Sequence, residues 1–223
     1  MNEVTCVSGV SCGGKTAVLI DLDNTVSPKG KQLSVMISDV TRNLRSDHEA
    51  FRRHVSFEEH AHRTGLGEYI QTIEYGGNFY SVRKHEVDDA LRKNKYVLVD
   101  CISDGVRQFA AHHPTKAVFI FAWPRELLKR HIIRGTASDE MKWRLANSEV
   151  ELRAAIDSGL YSLYINNTDL DEAKRKVVAF LDGKYVASEP VDIKAFADEL
   201  REVLGELHSL NHFDKSEKSN VNR

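Results

Sequence analysis

Cysteine and proline are scarce in this chain of 223 residues, which contains three cysteines and four prolines. Cys6, Cys12 and Cys101 are odd in number and lack the spacing of a metal site, which favours free thiols in a reducing cytoplasm. A strong excess of one charge is also absent, because the formal net charge is −2. We therefore expect no nucleic-acid partner.

Long apolar runs are missing as well. Those present, such as 117–123, are much shorter than the roughly 20 residues that a membrane-spanning helix requires. The opening Met-Asn-Glu does not begin the basic and then apolar pattern of a secretory leader. We therefore expect a cytoplasmic protein without membrane contact. Hydrophobic residues at 41% and charged residues at 29% are ordinary for one globular α/β domain with an appendage.

A glycine-rich motif lies near the start. Residues 9–16 read Gly-Val-Ser-Cys-Gly-Gly-Lys-Thr, which matches the phosphate-binding pattern G-x-x-x-x-G-K-S/T between a β-prone run and an apolar segment. Its glycines let backbone N–H groups turn toward phosphate oxygens, and the following helix N-terminus favours the same anion. The predicted ATP-binding residues of this loop are Gly9, Val10, Ser11, Cys12, Gly13, Gly14, Lys15 and Thr16.

Apolar runs alternate with helix-like patterns as far as residue 181. This alternation predicts a parallel sheet with crossover helices. Strands are expected at 4–8, 34–38, 69–75, 96–101, 117–122 and 160–165, and helices at 15–23, 57–64, 84–93, 104–112, 124–134, 139–157 and 169–181. Two β-rich runs around Gly76-Gly77-Asn78 indicate a hairpin. The sequence thus predicts a small antiparallel lobe inserted into a parallel core.

A separate segment follows Asp182-Gly183. Its apolar residues recur at helical spacing and are Ile193, Phe196, Leu200, Val203, Leu204, Leu207 and Leu210. This pattern predicts an amphipathic helix, which either packs on its own domain or makes the contact of a homodimer. The polar residues after Asn211 are expected to be disordered.

Two groups of arginines after the loop, five residues in all, are candidates for binding phosphates. Arg42 and Arg45 come after a predicted strand, whereas Arg130, Arg134 and Arg144 lie in predicted helices. Phosphoryl transfer between two nucleotides brings many negative charges together, and planar guanidinium groups suit the task of positioning and neutralising them. We therefore expect both groups to contact phosphates.

Two residues are candidates for the side that binds magnesium. Asp100 lies near the end of a predicted strand, and the carboxyl ends of strands face the ligand in open α/β sheets. A carboxylate there can hold magnesium through water, and the Thr16 hydroxyl can bind the same ion. The expected cofactor is therefore Mg2+, bound together with ATP.

Five blocks in this order resemble guanylate kinase and its relatives, over about residues 4–181. The blocks are the loop at 9–16, Ser-Asp-Val-Thr-Arg-Asn-Leu-Arg at 38–45, Gly-Asn-Phe-Tyr-Ser-Val at 77–82, Leu-Lys-Arg-His-Ile-Ile-Arg-Gly-Thr at 128–136 and Ile-Asn-Asn-Thr-Asp-Leu-Asp at 165–171. The resemblance implies an α/β fold of the phosphate-loop NTPase type. It would have a three-layer parallel sheet, an inserted small antiparallel acceptor-binding lobe at about 38–83 and a helical lid at about 134–155. The domain would span 1–183, and 184–223 would be the helix and tail.

The resemblance also implies an activity and the residues that carry it. The activity is transfer of a phosphoryl group from ATP to a small phosphorylated acceptor, with GMP or dGMP as the first expectation. The implied catalytic residues are Lys15, Arg130, Arg134 and Arg144, and Asn167 would lie near the adenine. The implied acceptor-binding residues are Ser38, Arg42, Arg45, Gln71 and Tyr80.

Several acceptor-side positions depart from the family pattern. Gln71 stands where the family has a glutamate that accepts hydrogen bonds from guanine, Val82 stands in place of a serine, and Ile102 replaces the second acid of Asp-x-Asp. A glutamine lacks the charged acceptor that suits guanine. A shifted alignment would offer Glu74 as the guanine reader. Arg52 lies near the position of a family tyrosine.

These departures leave other functions open. A different phosphorylated acceptor, such as another nucleoside monophosphate or ribose bisphosphate, requires no guanine reader. A non-catalytic guanylate-kinase-like module that binds a protein is a third possibility, although such modules typically lack the intact loop that Lys15 and Thr16 complete here. A simple nucleoside triphosphate hydrolase is the fourth.

Overall fold

The computed structural model describes residues 3–44, 49–93 and 95–220, with side chains as far as 208. The predicted acceptor residue Arg45 lies outside these ranges. The strands are β1 (Val4–Gly9), β2 (Leu33–Val35), β3 (Ser38–Val40), β4 (Arg52–His54), β5 (Tyr69–Tyr75), β6 (Asn78–Arg83), β7 (Tyr96–Asp100), β8 (Thr115–Phe121) and β9 (Leu163–Asn166). The helices are α1 (Lys15–Leu22), α2 (Phe57–Gly65), α3 (Lys84–Arg92), α4 (Ser103–Ala110), α5 (Pro124–Ile133), α6 (Ser138–Ser158), α7 (Leu170–Leu181) and α8 (Ile193–Asn220).

A five-stranded parallel sheet forms the centre of the molecule. Its strand order is β2-β7-β1-β8-β9, and every neighbouring pair is parallel. The inner strands are buried on both faces. In β7, Val97 and Val99 pack in one core cluster, whereas Tyr96 and Leu98 pack in the other. Near-continuous apolar runs are what such doubly covered strands require, and the predicted parallel core is confirmed.

Helices cover both faces of this sheet and complete the three layers. α1 and α7 pack on one face, where Leu19 and Val177 are fully buried. α3, α4, α5 and α6 lie on the other face, and Phe109 and Leu145 are among their buried side chains. The helices expected before residue 182 are confirmed, with ends that differ by at most two residues.

The prediction of one strand at 34–38 is wrong. The run is divided between β2, at an edge of the central sheet, and β3, which belongs to a second sheet. The N–H of Met36 still donates to the carbonyl oxygen of Leu98 in β7 at 2.8 Å, and the chain then leaves the central sheet. A continuous apolar run contains no signal for such a change of sheet.

The second sheet lies within 38–83, which we call the small lobe, and its strand order is β4-β3-β6-β5. β5 and β6 form the expected hairpin, whose turn residues Gly76 and Gly77 have φ of +59° and +72°. Two-residue hairpin turns require this left-handed backbone. The small lobe is not purely antiparallel, because β3 and β4 pair in parallel. β4 was not predicted because Arg52-Arg53-His54 has no apolar residue to alternate.

A buried carboxylate joins all four strands of the small lobe. Asp39 of β3 is fully buried and accepts hydrogen bonds from Arg53 of β4 at 3.2 Å, Arg83 of β6 at 2.8 Å and the Tyr69 hydroxyl of β5 at 2.9 Å. Because a buried charge is costly unless it is paired, these bonds fix the arrangement of the strands.

The C-terminal helix α8 packs on its own chain. Phe196, Leu200 and Val203 are buried against α5 and α6, and the Phe196 ring centre lies 5.8 Å from that of Trp123. The apolar face that suggested a homodimer is therefore used within the chain. The structure also differs from the expected disorder after residue 211, because α8 continues to Asn220. No proline or glycine interrupts 212–220.

In the ranges that the structure describes, no helix combines the length and the apolar character needed to cross a bilayer.

Candidate functional site

A cavity of about 510 Å³ opens between the central sheet, the small lobe and helices α5 and α6. It lies at the carboxyl ends of β1 and β7, where ligands bind in open α/β sheets. The lining residues are Gly9, Val10, Ser11, Cys12, Gly14, Lys15, Thr16, Ala17, Arg42, Glu49, Ala50, Arg52, Gln71, Ile73, Tyr75, Tyr80, Asp100, Cys101, Ile102, Arg130, Arg134, Arg144 and Glu151.

Cations outnumber carboxylates around this cavity. The lining cations are Lys15, Arg42, Arg52, Arg130, Arg134 and Arg144, and the lining carboxylates are Glu49, Asp100 and Glu151. A cavity of positive sign attracts anions, and guanidinium groups match the geometry of phosphate. The predicted catalytic cations from three separate parts of the chain are thus brought together.

Loop 9–16 packs closely against neighbouring segments after β1. At two of its positions there is no room for a side chain, so only glycine fits. A Cβ on Gly9, whose φ is +149°, would lie 1.8 Å from the carbonyl oxygen of Ile120 in β8. A Cβ on Gly14, whose φ is +97°, would lie 2.1 Å from Nδ2 of Asn167. Among the described side chains, none caps the N-terminus of α1 after Gly14. The first N–H groups of α1 are therefore available to an anion.

Lys15 lies across this loop. Its Nζ donates to the carbonyl oxygens of Gly9 at 2.5 Å and Val10 at 3.2 Å. Thr16 is the next residue, in the first turn of α1, where its side chain is exposed and lines the cavity. Both side chains therefore stand where the sequence motif placed them, beside the end of β1.

Arg130 and Asn167 support the loop from behind. The Arg130 guanidinium donates to the carbonyl oxygens of Cys12 and Gly13 at 3.3 Å and of Asn167 at 2.6 Å. The buried Asn167 side chain donates to the carbonyl oxygen of Gly13 at 2.9 Å. The structure thus brings both predicted residues to the loop, where their bonds fix its backbone. Arg130 also lines the cavity, whereas Asn167 does not.

Arg134 and Arg144 approach the same loop from two different elements. Arg134 ends α5, and its Nη1 lies 3.8 Å from the Cys12 Sγ. Arg144 of α6 donates from Nη1 to the Ser11 hydroxyl at 3.3 Å. Three arginines separated in sequence therefore converge on the loop, and the segment predicted as the lid supplies two of them.

Arg42 and Tyr80 lie together on the small-lobe side, as expected. Arg42 donates from Nε to the Tyr80 hydroxyl at 3.1 Å. Its two terminal nitrogens donate to Glu49 at 2.8 and 2.6 Å, and these bonds raise the pKa of Arg42 further above its ordinary value. Sequence reasoning missed Glu49, since nothing in the sequence pairs it with Arg42.

Gln71 stands on the wall of the cavity beside Ile73 and Tyr75, and its Nε2 donates to the carbonyl oxygen of Tyr80 at 3.3 Å. Glu74 is exposed and points to the opposite face of β5, because side chains alternate along a strand. Glu74 is therefore ruled out as the reader of a base in this cavity.

Ser38 does not line the cavity. It is buried in β3, directly opposite Val82 of β6. Its proposed contact with the base stays a prediction.

Asp100 and Thr16 offer oxygen ligands on the cavity wall. The Asp100 carboxylate is paired with the Arg52 guanidinium, which sequence reasoning did not predict. In the described part of the chain no three His, Cys, Asp or Glu side chains form a metal cluster. Mg2+ requires no such cluster, because it keeps several waters and binds through one or two protein oxygens together with substrate phosphates. The Thr16 hydroxyl and the Asp100 carboxylate supply oxygens of this kind, so these two residues fit a magnesium ion.

Glu151 is a further cavity residue that sequence reasoning missed. It lies on α6 seven residues after Arg144, a spacing that places both on one helix face and could have revealed it. Burial raises the pKa of the Glu151 carboxyl, and the nearby charges of Lys15 and Arg144 oppose that rise. Asn147, between them on the same face, donates to Glu151 at 3.2 Å and to the Tyr75 hydroxyl at 3.5 Å. α6 and the small lobe therefore meet over the cavity.

Alkylation of Cys12 is expected to block ATP binding. Its Sγ lies 3.4 Å from Nδ1 of His131 and near Arg134, so an added group would fill the space between the loop and the arginines. ATP binding by calorimetry after iodoacetamide treatment, with mass spectrometry to confirm the modified site, measures this effect. A Cys12→Ser variant should lose no further activity on treatment. Full activity with Cys12 completely modified would contradict the prediction.

His131 is expected to make the protein less stable in acid. Burial, followed by the charges of Arg144 and Arg134, lowers the pKa of His131 from its ordinary 6.5 to about 4. The unfolded chain therefore takes up this proton first, so the contribution to stability is complete above pH 6.5 and is lost as the pH falls toward 4. The free energy of unfolding should fall by up to about 1.4 kcal/mol per pH unit in this window.

Urea titrations at several pH values test this effect. The His131→Asn variant should lack this part of the pH dependence, whereas a His112→Asn variant, changed at an exposed site, should retain it. Equal pH slopes for the wild type and the His131→Asn variant would show that the buried imidazole is not responsible.

The chain is similar to known proteins in sequence and in fold. The family model described as guanylate kinase matches residues 2–184. The guanylate kinase of Vibrio cholerae is 28% identical over 175 residues, which cover 76% of this chain and 81% of that relative. The guanylate kinase of Synechocystis is 28% identical over 151 residues, which cover 65% of this chain and 77% of that relative.

Two further proteins are matched over very different shares of their length. Guanylate kinase 1 of Arabidopsis thaliana is 30% identical over 115 residues, which are 50% of this chain and only 30% of that longer relative. The crystal structure of guanylate kinase from Anaplasma phagocytophilum aligns with a TM-score of 0.59 at 21% identity, covering 82% of this chain and 85% of that chain. At this identity the structural match shows a shared fold.

Proposed function

Because this chain belongs to the guanylate kinase family, we propose that it transfers the γ-phosphoryl group of ATP directly to the phosphate of GMP or dGMP. One observation carries the proposal. The end of loop 9–16 that carries Lys15 is surrounded by Arg130, Arg134 and Arg144. Arg42 and Tyr80 stand together in another part of the wall of the same cavity. A cavity with two separate sets of phosphate-binding side chains suits a donor and an acceptor held together.

The donor side is proposed to work by positioning and charge neutralisation. Phosphoryl transfer spreads negative charge over the oxygens of the moving group, and fixed cations lower its barrier. Lys15 would turn from the loop carbonyls to the terminal phosphates, and Arg134 and Arg144 would approach from α5 and α6. Arg130 would hold the loop in shape through its bonds to Cys12 and Gly13.

Magnesium would be held on this side by the Thr16 hydroxyl and, through water, by the Asp100 carboxylate. When bound, the ion neutralises charge on the β- and γ-phosphate oxygens. Asp100 is paired with Arg52 of the small lobe, so its carboxylate is already oriented at the cavity wall. An Asp100→Asn change should therefore raise the magnesium concentration needed for half-maximal activity.

On the acceptor side, Gln71 is proposed to meet the base. Its Nε2 is held by the carbonyl oxygen of Tyr80 at 3.3 Å, which leaves Oε1 as its hydrogen-bond acceptor. Guanine presents two adjacent donors, N1–H and the 2-amino group, and Oε1 can accept from one or both less strongly than a carboxylate. GMP and dGMP therefore remain the first expectation, with weaker recognition of the guanine base than a glutamate at position 71 would give.

A second candidate function is phosphorylation of a different acceptor. The cavity side chains Ile73, Ile102 and Gln71 carry no formal charge that would read guanine specifically. Another nucleoside monophosphate or ribose bisphosphate would still use Arg42 and Tyr80 for its phosphate. The proposed compartment is the cytoplasm, where the three free cysteines would stay reduced.

A coupled assay of ADP release over GMP, dGMP, AMP, CMP, UMP, dTMP and ribose bisphosphate tests these functions. The highest kcat/KM is expected with GMP or dGMP. A higher value with ribose bisphosphate or another monophosphate would favour the second candidate. Release of ADP without any acceptor would indicate a hydrolase, and no release under any condition would indicate a binding module.

A further inference from the structure

Arg42 is already bound to an anion of its own chain. Glu49 Oε1 lies 2.6 Å from Nη2 of Arg42, and Glu49 Oε2 lies 2.8 Å from Nη1. The side chains of Arg42 and Glu49 are only 17% and 15% exposed, and both line the cavity. This is the two-bond pairing that makes a guanidinium–carboxylate contact strong.

A phosphate group would need the same donors. The Nε of Arg42 donates to the Tyr80 hydroxyl, and Nη1 also donates to the carbonyl oxygen of Asn43 at 2.9 Å. The two-nitrogen edge that matches a phosphate is the edge that Glu49 holds. Carboxylate and phosphate are the two anions that suit this edge. An acceptor phosphate that binds Arg42 must therefore take this edge from Glu49.

We propose that Glu49 is an internal competitor at Arg42, one that every incoming anion must displace and that only an anion with further contacts, such as a phosphate dianion, displaces well. This inference rests on the proposed function, in which Arg42 binds the acceptor phosphate. Glu49 is tethered seven residues from Arg42, so its effective concentration at the guanidinium is high. An incoming monoanion would replace one single charge with another and gain little.

A phosphate monoester brings more than Glu49 does. At pH 7 it carries a charge of about −1.5 to −2 and three strong acceptor oxygens. Those oxygens can also accept from the Tyr80 hydroxyl, which already touches Arg42. Glu49 thereby weakens the binding of every anion at Arg42 by a similar factor, so that phosphodiesters and carboxylates, which gain little from displacing it, bind the wild type poorly.

The Glu49→Gln variant tests the competition, because glutamine keeps the shape of the side chain and removes its charge. With GMP as acceptor, KM for GMP should fall by about tenfold, the size of one charge-assisted hydrogen bond, while KM for ATP stays unchanged. The methyl ester of GMP, a phosphodiester monoanion, should inhibit the wild type weakly and the variant at least about tenfold more strongly.

Glu86→Gln is the matched control. Glu86 accepts from Arg53 at 3.0 Å, follows the small lobe directly in sequence and does not line the cavity. Its variant should leave both KM values and the inhibition by the methyl ester as in the wild type. Thermal unfolding of both variants excludes a general loss of structure as the cause.

Two outcomes would overturn the inference. A higher KM for GMP in Glu49→Gln would show that Glu49 orients Arg42 for the phosphate, with the proposed transfer still intact. Unchanged inhibition by the methyl ester would show that Glu49 does not compete with anions for Arg42. If the wild type phosphorylated neither GMP nor dGMP, the proposed function would fail separately. Calorimetric titration with inorganic phosphate, expected to bind the variant more tightly, would then decide whether Glu49 competes at Arg42.

Discussion

The Lys15→Ala variant is expected to lose phosphoryl transfer with every acceptor, by at least about 10³-fold in kcat. Among the described residues that line the cavity, Lys15 is the one lysine, and its Nζ lies within 3.2 Å of two loop carbonyl oxygens at the end of β1. An ammonium group in this place gives the terminal phosphates a fixed positive charge. Steady-state ADP release measures the loss, and the acceptor with the highest wild-type kcat/KM is the one to use.

Two further variants separate charge from loop structure. Lys15→Met keeps most of the apolar stem and should be as inactive as Lys15→Ala if the charge is what matters. Lys129→Ala removes an exposed lysine of α5 and should retain wild-type activity. Substantial transfer by Lys15→Met would mean that the cavity arginines alone neutralise the donor phosphates.

Phe196→Ala is expected to have the largest effect on stability, a loss of about 3–5 kcal/mol in the free energy of unfolding. Phe196 is fully buried, with 0% of its surface accessible to solvent, and its ring contacts Trp123. Its removal would leave a cavity between α8 and α5. Since small proteins are stable by only about 5–15 kcal/mol, this is a large fraction of the total.

Equilibrium unfolding in urea measures this loss. Phe57→Ala is the control, because Phe57 begins α2 and is 53% exposed. Its variant should lose much less stability. If both variants lost the same free energy of unfolding, the packing of α8 on α5 would contribute less to stability than the burial of Phe196 indicates.

The fold was predictable where the pattern of apolar residues follows from burial. The strands of the central sheet and the helices around them were expected from their sequence, because each buries a regular face. The sheet switch near Met36 could not be predicted, since the run 34–38 reads as one strand. The short polar strand β4 and the parallel pairing of β3 with β4 also depend on tertiary contacts that no local pattern encodes.

Most of the cations around the cavity and the carboxylate of Asp100 were predictable, whereas the ion pairs between cavity side chains were not. The loop motif identified Lys15, and the arginines that surround it were expected as phosphate ligands. The partners of Arg42 and Arg52 are Glu49 and Asp100, and neither pairing follows from sequence spacing. The pair of Arg52 and Asp100 depends on where two distant backbone segments meet, and the pair of Arg42 and Glu49 depends on how the chain turns between them. Which side of β5 faces the cavity also could not be predicted, because it depends on the register in which the strand pairs.

The position of α8 sets the order in which the molecule can be completed during synthesis. α5 and α6 leave the ribosome before the helix that covers their apolar surfaces, although they carry Arg130 and Arg144. Until residues 193–207 have emerged, that surface stays open to solvent, and exposed apolar surface favours aggregation in partly folded chains. Loop 9–16 is therefore synthesised before α5 and α6, and these two helices are covered by α8 only at the end of synthesis.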